Sequence, residues 1–168
     1  MNIFVTNPDP KASAKALDDK RVIKMILETA QILSTVIRFK NKEYADQHSL
    51  YKPTHTGHPC VKWAGQTKGN YHWLLQHMQA LMDEYTARFG KVHKSSSLFP
   101  ALEAFVSRMD GDKTHFVNCT DFKFIPDIHE AYKKALNTKW VNDKIRPRWT
   151  NSNPPEWKDL NDSKDSLD

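Results

Sequence analysis

The chain contains no run of eighteen apolar residues, so no segment reads as a membrane-spanning helix. Its opening, Met1-Asn2-Ile3-Phe4-Val5-Thr6-Asn7-Pro8, lacks the basic start and long apolar stretch of a secretory signal, and export is not expected. Cysteine is scarce. Cys60 and Cys119 stand far apart in sequence, and in a reducing compartment two free thiols are expected in preference to a disulfide. There is no internal repeat and no long low-complexity stretch. No segment alternates apolar and polar residues well enough to propose a sheet. These absences leave a soluble, cytoplasmic, mostly helical protein, and 168 residues suit one domain with one core.

Core material is present: 39% of residues are hydrophobic, with five Trp and eight Phe. The net charge of +5 is unevenly spread. Residues 151–168 carry five acids against Lys158 and Lys164, a net −3, which leaves +8 on residues 1–150. The domain reading is therefore a helical, nucleic-acid-acting body over 1–150 and an acidic, flexible tail over 151–168. A basic body favours a polyanionic partner, because each neutralised phosphate releases counterions.

Residues 1–7 read as an extended arm. Asp9-Pro10 reads as an N-cap followed by proline at the first helical position, and a helix is predicted from there to about Arg38. Its apolar positions Ile23, Ile26, Leu27, Ala30, Leu33 and Ile37 follow helical spacing. Residues 40–59 read as a loop. A second long helix is predicted from near Pro59 to Gly90, with Gly65 and Gly69 weakening or breaking its first turns. A shorter helix is predicted over Pro100–Met109, and a last one from Asp127 to about Asn137 or beyond. The fold class is all-α: a compact single domain of three to four main helices, with long loops and an N-terminal arm.

The first helix has a second face. Arg21, Lys24, Glu28, Gln31 and Thr35 recur at intervals of three and four, with Lys20 and Arg38 nearby. Lys24 and Glu28 are four apart and could form an ion pair on a solvated face. The functional reading of the same stripe is one carboxylate held among cations. A carboxylate beside an amine suffices for glycosidic chemistry on DNA: the amine attacks the sugar C1′ and the carboxylate moves the proton.

Two further groupings stand out. His55, His58 and Cys60 are borderline-to-soft metal ligands, but their spacing matches no standard zinc pattern. The reading preferred here is that the histidines, with Lys62, cap the second helix or contact phosphate. Near the other end, Lys133, Lys134, Lys139, Lys144, Arg146 and Arg148 interleave with Trp140 and Trp149. The cations suit phosphates; the tryptophans suit either base stacking or anchorage of a C-terminal extension.

Taken together, the arm, the stripe around Glu28, His58-Pro59-Cys60-Val61, Glu84 to Gly90, Ile128-His129-Glu130-Ala131 and Arg146-Pro147-Arg148-Trp149 resemble the pyrimidine-dimer DNA glycosylase family of the phage endonuclease V type. The layout is also similar to proteins of large phages. The resemblance implies that the N-terminal α-amine is the nucleophile, forming a Schiff base with C1′ and then permitting strand cleavage. An α-amine is less basic than a lysine, which leaves a useful neutral fraction at physiological pH. The resemblance further implies that Glu28 is the catalytic carboxylate, that Arg21 and Lys24 bind phosphates, and that a nucleotide leaves the base stack. In that family methionine removal exposes a small residue. Here Asn2 disfavours removal, so Met1 is expected to stay and to carry the amine.

The expected activity is thus a DNA glycosylase, with or without AP-lyase activity, acting on damaged or modified pyrimidines in double-stranded DNA. Its catalytic residues are Met1 and Glu28. Its nucleic-acid-binding residues are Lys20, Arg21, Lys24, His55, His58, Lys62, Arg146 and Arg148. This reading implies no metal or other cofactor and a monomer. The alternatives are a non-catalytic nucleic-acid-binding phage protein and a metal-dependent nuclease using His55, His58 and Cys60.

Overall fold

The computed structural model describes residues 1–160, and all regular structure among them is helical. The order is α1 (Pro10–Lys15), α2 (Asp19–Lys40), α3 (Lys42–Gln47), α4 (Pro59–Gln66), α5 (Lys68–Phe89), α6 (Phe99–Ala104) and α7 (Ile128–Asn142). Short 3₁₀ turns, Lys94–Leu98 and Phe105–Arg108, flank α6. The class is all-α, as expected. No helix among the described residues is long and apolar enough to cross a membrane.

The two long helices, α2 and α5, pack against each other, with α1 on α5 and α4 against both. Ile26, Leu33 and Ile37 of α2 meet Tyr71, Leu74, Met78 and Leu81 of α5 in one fully buried cluster. Two apolar positions assigned to the α2 core face, Ile23 and Leu27, are instead 42% and 39% exposed. Val22, Met25 and Thr29 fill the core in their stead, because the buried stripe is rotated toward them.

Each long predicted helix is interrupted. The first breaks at Ala16–Asp18. The carbonyls freed there are satisfied by distant donors: Arg88 Nη1 to Leu17 O at 2.7 Å, Arg88 Nη2 to Lys15 O at 3.0 Å, and Trp149 Nε1 to Ala16 O at 3.0 Å. The second breaks at Thr67, whose hydroxyl accepts the Asn70 N–H and caps α5. Gly69 follows because the backbone of Asp112–Lys113 lies against it: a Cβ there would fall 2.2 Å from the Lys113 nitrogen. Asp9 caps α1 and Gly90, at φ 65°, ends α5, both where sequence placed them. The loop at 40–59 contains the extra helix α3, and α7 runs to Asn142.

A buried polar knot joins the start of α2 to the end of α7. Asp18 accepts from Trp140 Nε1 at 2.8 Å and from Arg21 Nη1 at 3.2 Å. The same guanidinium forks onto Asp143 at 2.8 and 3.2 Å. Arg21, expected to reach out to phosphate, is therefore buried and held by two carboxylates. Trp140 and Trp149 serve as anchors: Trp149 packs edge-on against Trp140, and Trp157 stacks on it at 5.5 Å. In the region read as a tail, Asn151 donates to Arg88 O and the Asp159 N–H to Asn137 Oδ1, while 161–168 lie outside the described residues.

Arg21→Met should cost about 3–5 kcal/mol in urea unfolding, since it takes the guanidinium away from the buried Asp18 and the partly buried Asp143. A loss below ~1 kcal/mol would return Arg21 to the surface. His77 supplies a pH-dependent counterpart. It is fully buried, donates from Nδ1 to Pro10 O at 3.0 Å and stacks on Trp73. Burial pushes its pKa down from 6.5 to about 4. The unfolded chain then binds a proton near pH 6.5 that the folded chain refuses until about pH 4. Stability should fall between those values by about 1.4 kcal/mol per pH unit, and His77→Phe should remove that share of the slope.

Candidate active site

The arm is irregular. Asn2 Oδ1 accepts the N–H groups of Ile3 at 2.7 Å and Phe4 at 3.3 Å, and Thr6 N–H closes onto Phe4 O at 2.9 Å. Phe4 adopts φ 56°, a left-handed conformation that bulky residues rarely take. His129 of α7 donates to Val5 O at 2.9 Å, and Ser13 both donates to and accepts from Asn7. Ile3, Phe4, Val5 and Thr6 are buried. So folded, the arm delivers the Met1 α-amine to 3.4 Å from Glu28 Oε1. Glu28 Oε2 is also buried and accepts no hydrogen bond. The partner of Glu28 is therefore the chain's own amine, and not Lys24 as helical spacing suggested.

Around this pair lies a cavity of about 180 Å³. Met1, Asn2 and Phe4 of the arm form one wall, Lys20, Arg21, Lys24, Met25 and Glu28 of α2 another, and Lys139 of α7 a third. Lys20, Lys24 and Lys139 are exposed, so their charges face solvent at the rim. An anionic ligand entering here meets three exposed lysines, the α-amine and one carboxylate. A second cavity of about 510 Å³ shares Asn2, Arg21 and Lys139 with the first and adds Thr120, Phe122 and Asn142.

The 54–60 segment folds back over α2. Thr54 N–H donates to Thr35 Oγ1 at 3.2 Å, which places the last residue of the stripe under that loop. His58 caps α4, its Nδ1 accepting the Cys60 N–H at 3.0 Å. Burial lowers the His58 pKa, the N-terminal charge and His55 lower it further, and Glu28 opposes them. The Cys60 and Cys119 sulfurs are 3.4 Å apart. Their shared hydrogen bond pulls the Cys119 thiol down to about 7, against its partial burial and helped by Tyr132, Lys123 and the N-terminal amine. The same bond, with burial, pushes Cys60 up.

Of the residues singled out by sequence, Met1, Lys20, Arg21, Lys24 and Glu28 share one cavity, and His58 lies within the electrostatic reach of Met1 and Glu28. Lys62 and His55 are exposed on α4 and the loop before it, and His55 bonds Thr54 at 2.8 Å. Arg146 and Arg148 line a different cavity of about 700 Å³ with Trp149 and Pro155, sharing no residue with the first. The donor trio considered for a metal is altered: His58 and Cys60 meet Cys119, and His55 stands outside the cluster. Asn2, Lys139 and Cys119 were missed as site residues. Lys139 belonged to a visible basic segment and Asn2 adjoins Met1 in the arm, whereas nothing near Cys119 in sequence marks it.

Comparison with curated proteins and with solved structures finds no match. The profile of the pyrimidine dimer DNA glycosylase family matches residues 1–97. That range takes in the arm, α1 to α5, both members of the amine–carboxylate pair, and His58 and Cys60. With more than half of its 168 residues matched, and with an amine and a carboxylate meeting in a cationic cavity within the matched part, the chain belongs to the pyrimidine dimer DNA glycosylase family and is a DNA glycosylase.

Proposed function

We propose that this glycosylase removes a damaged or modified pyrimidine from double-stranded DNA by covalent catalysis, with the Met1 α-amine as nucleophile and Glu28 as the proton-transferring carboxylate. The 3.4 Å approach of amine and carboxylate carries the reading. The neutral amine attacks C1′ of the target nucleotide, and the glycosidic C–N bond breaks with its electron pair leaving on the base. Loss of a proton from nitrogen and opening of the sugar ring give a Schiff base at C1′. Removal of a proton from C2′ then allows β-elimination of the 3′-phosphate and strand cleavage, and water releases the amine. Glu28 takes up the amine proton and stabilises positive charge at the sugar; its unpartnered Oε2 is the oxygen free to do so.

The cations divide by position. Lys20, Lys24 and Lys139, at the rim, suit the phosphates flanking the target, while Arg21 positions the wall of the cavity through Asp18 and Asp143. His55, Lys62, Arg146 and Arg148 suit more distant phosphates, and His58 adds a polar group beside the amine. Displacement of the target from the stack would bring C1′ within reach of an amine that cannot itself move far from Glu28.

Borohydride added to the protein with ultraviolet-irradiated duplex should trap a covalent protein–DNA adduct. Absence of both trapping and base release would overturn covalent removal of ultraviolet-damaged pyrimidines. Glu28→Gln should lower turnover by about 10²–10⁴-fold with duplex affinity retained, and undiminished turnover would take Glu28 out of the chemistry. For binding, Lys24→Ala and Lys139→Ala should each reduce the salt dependence of duplex affinity by about 0.9 in log–log slope. An unchanged slope would place that lysine off the DNA.

A further inference from the structure

The proposed chemistry uses neither sulfur. The geometry points to a structural site for a thiophilic divalent ion of the zinc class, held by His58, Cys60 and Cys119, that clips the 110–126 segment to the start of α4. One donor atom from each of the three residues lies within 4.8 Å of the other two. The two sulfurs, 3.4 Å apart, come from positions 59 residues apart in the chain. Zinc–sulfur bonds of about 2.3 Å set two tetrahedral sulfurs roughly 3.8 Å apart, so small side-chain rotations suffice to receive the ion. Two sulfurs and an imidazole suit zinc and its soft neighbours, and offer no oxygen to calcium or magnesium.

His58 Nδ1 accepts the Cys60 N–H, so taking up an ion requires the ring to give up that hydrogen bond and to keep its proton on the nitrogen turned away from the ion. The backbone on the Cys119 side is held in place. Tyr132 accepts the Cys119 N–H at 3.1 Å and donates to Val117 O at 3.0 Å. Cys60 is fully buried, whereas Cys119 is half-buried and lines the 510 Å³ cavity, which gives the ion a way in. Three protein donors leave the fourth tetrahedral position to water. The site joins α4, within the family-matched residues, to a segment outside them that carries no helix of its own.

The test uses the full, reduced chain without oxygen and is independent of glycosylase activity. Titration with Co²⁺ should give one equivalent of a near-ultraviolet sulfur-to-cobalt band with the intense visible bands of a tetrahedral site, displaced by Zn²⁺. Zn²⁺ should also raise the melting temperature. Cys119→Ser, at a half-buried position, should weaken uptake by more than the roughly 10–100-fold that outer-shell partners are worth, and should abolish the thermal shift. His58→Gln should do the same, while His55→Gln should change neither. No stoichiometric uptake, or equal uptake by Cys119→Ser, would overturn the site. So would a chain that takes up no ion after reduction yet loses two hydrogens and both reactive thiols on mild oxidation, which would make the pair a dithiol that closes to a disulfide.

Discussion

Residues 3–6 are buried in spite of standing at a terminus, and that burial is what brings a backbone amine to Glu28. Terminal residues are ordinarily the loosest part of a domain unless tied down. Here Ile3, Phe4 and Val5 each place a side chain in the core, worth about 1.5–3 kcal/mol apiece when fully buried. That gain outweighs the ~1–3 kcal/mol expected for a left-handed Phe4. The strain serves a purpose, since the turn at Phe4 directs Met1 back toward α2. His129, Asn2 and Ser13 then satisfy the polar backbone of the turned segment.

α2 has to serve two sides. One face completes the core with α5, and the other forms the wall of the amine cavity. Its start is fixed by the Asp18–Arg21–Asp143 knot and Trp140, which couples its rotation to α7, the helix that supplies Lys139. Arg21 therefore matters to the cavity less as an exposed cation than as the joint holding two of its walls together. Ile23 and Leu27 fall outside both faces, because the buried stripe of α2 is rotated toward Val22, Met25 and Thr29.

Much of this was legible in the chain. Helical periodicity, Asp9-Pro10 and Gly90 located the helices and several of their ends, and the spacing of Lys24 and Glu28 put both on one face. The second interruption falls at Thr67, between the two glycines that mark it in the sequence, but the first was not legible, because no local breaker causes it: Arg88 and Trp149, from far along the chain, supply the donors for its carbonyls. Glu28 stood out by its neighbours in sequence, yet its actual partner is a terminal amine that no spacing rule points to. Cys119 was invisible for a similar reason. It sits in a segment without periodicity, and only tertiary structure carries it to Cys60.

That segment is not loose for want of a helix. Lys68 and Gly69 donate to Asp110 and Gly111, Asn70 exchanges hydrogen bonds with Thr114, and Trp63 holds the carbonyl of His115. Farther on, Tyr132 grips Val117 and Cys119. The chain is thus pinned at His115 by Trp63 and at Val117 and Cys119 by Tyr132, so the number of residues between these holds sets where Cys119 falls. Dropping one residue between 115 and 119 would shorten the reach by about 3.3–3.6 Å, as much as the whole gap between the sulfurs. A deletion in this stretch would therefore draw Cys119 away from Cys60, whereas an irregular surface segment ordinarily absorbs such a change.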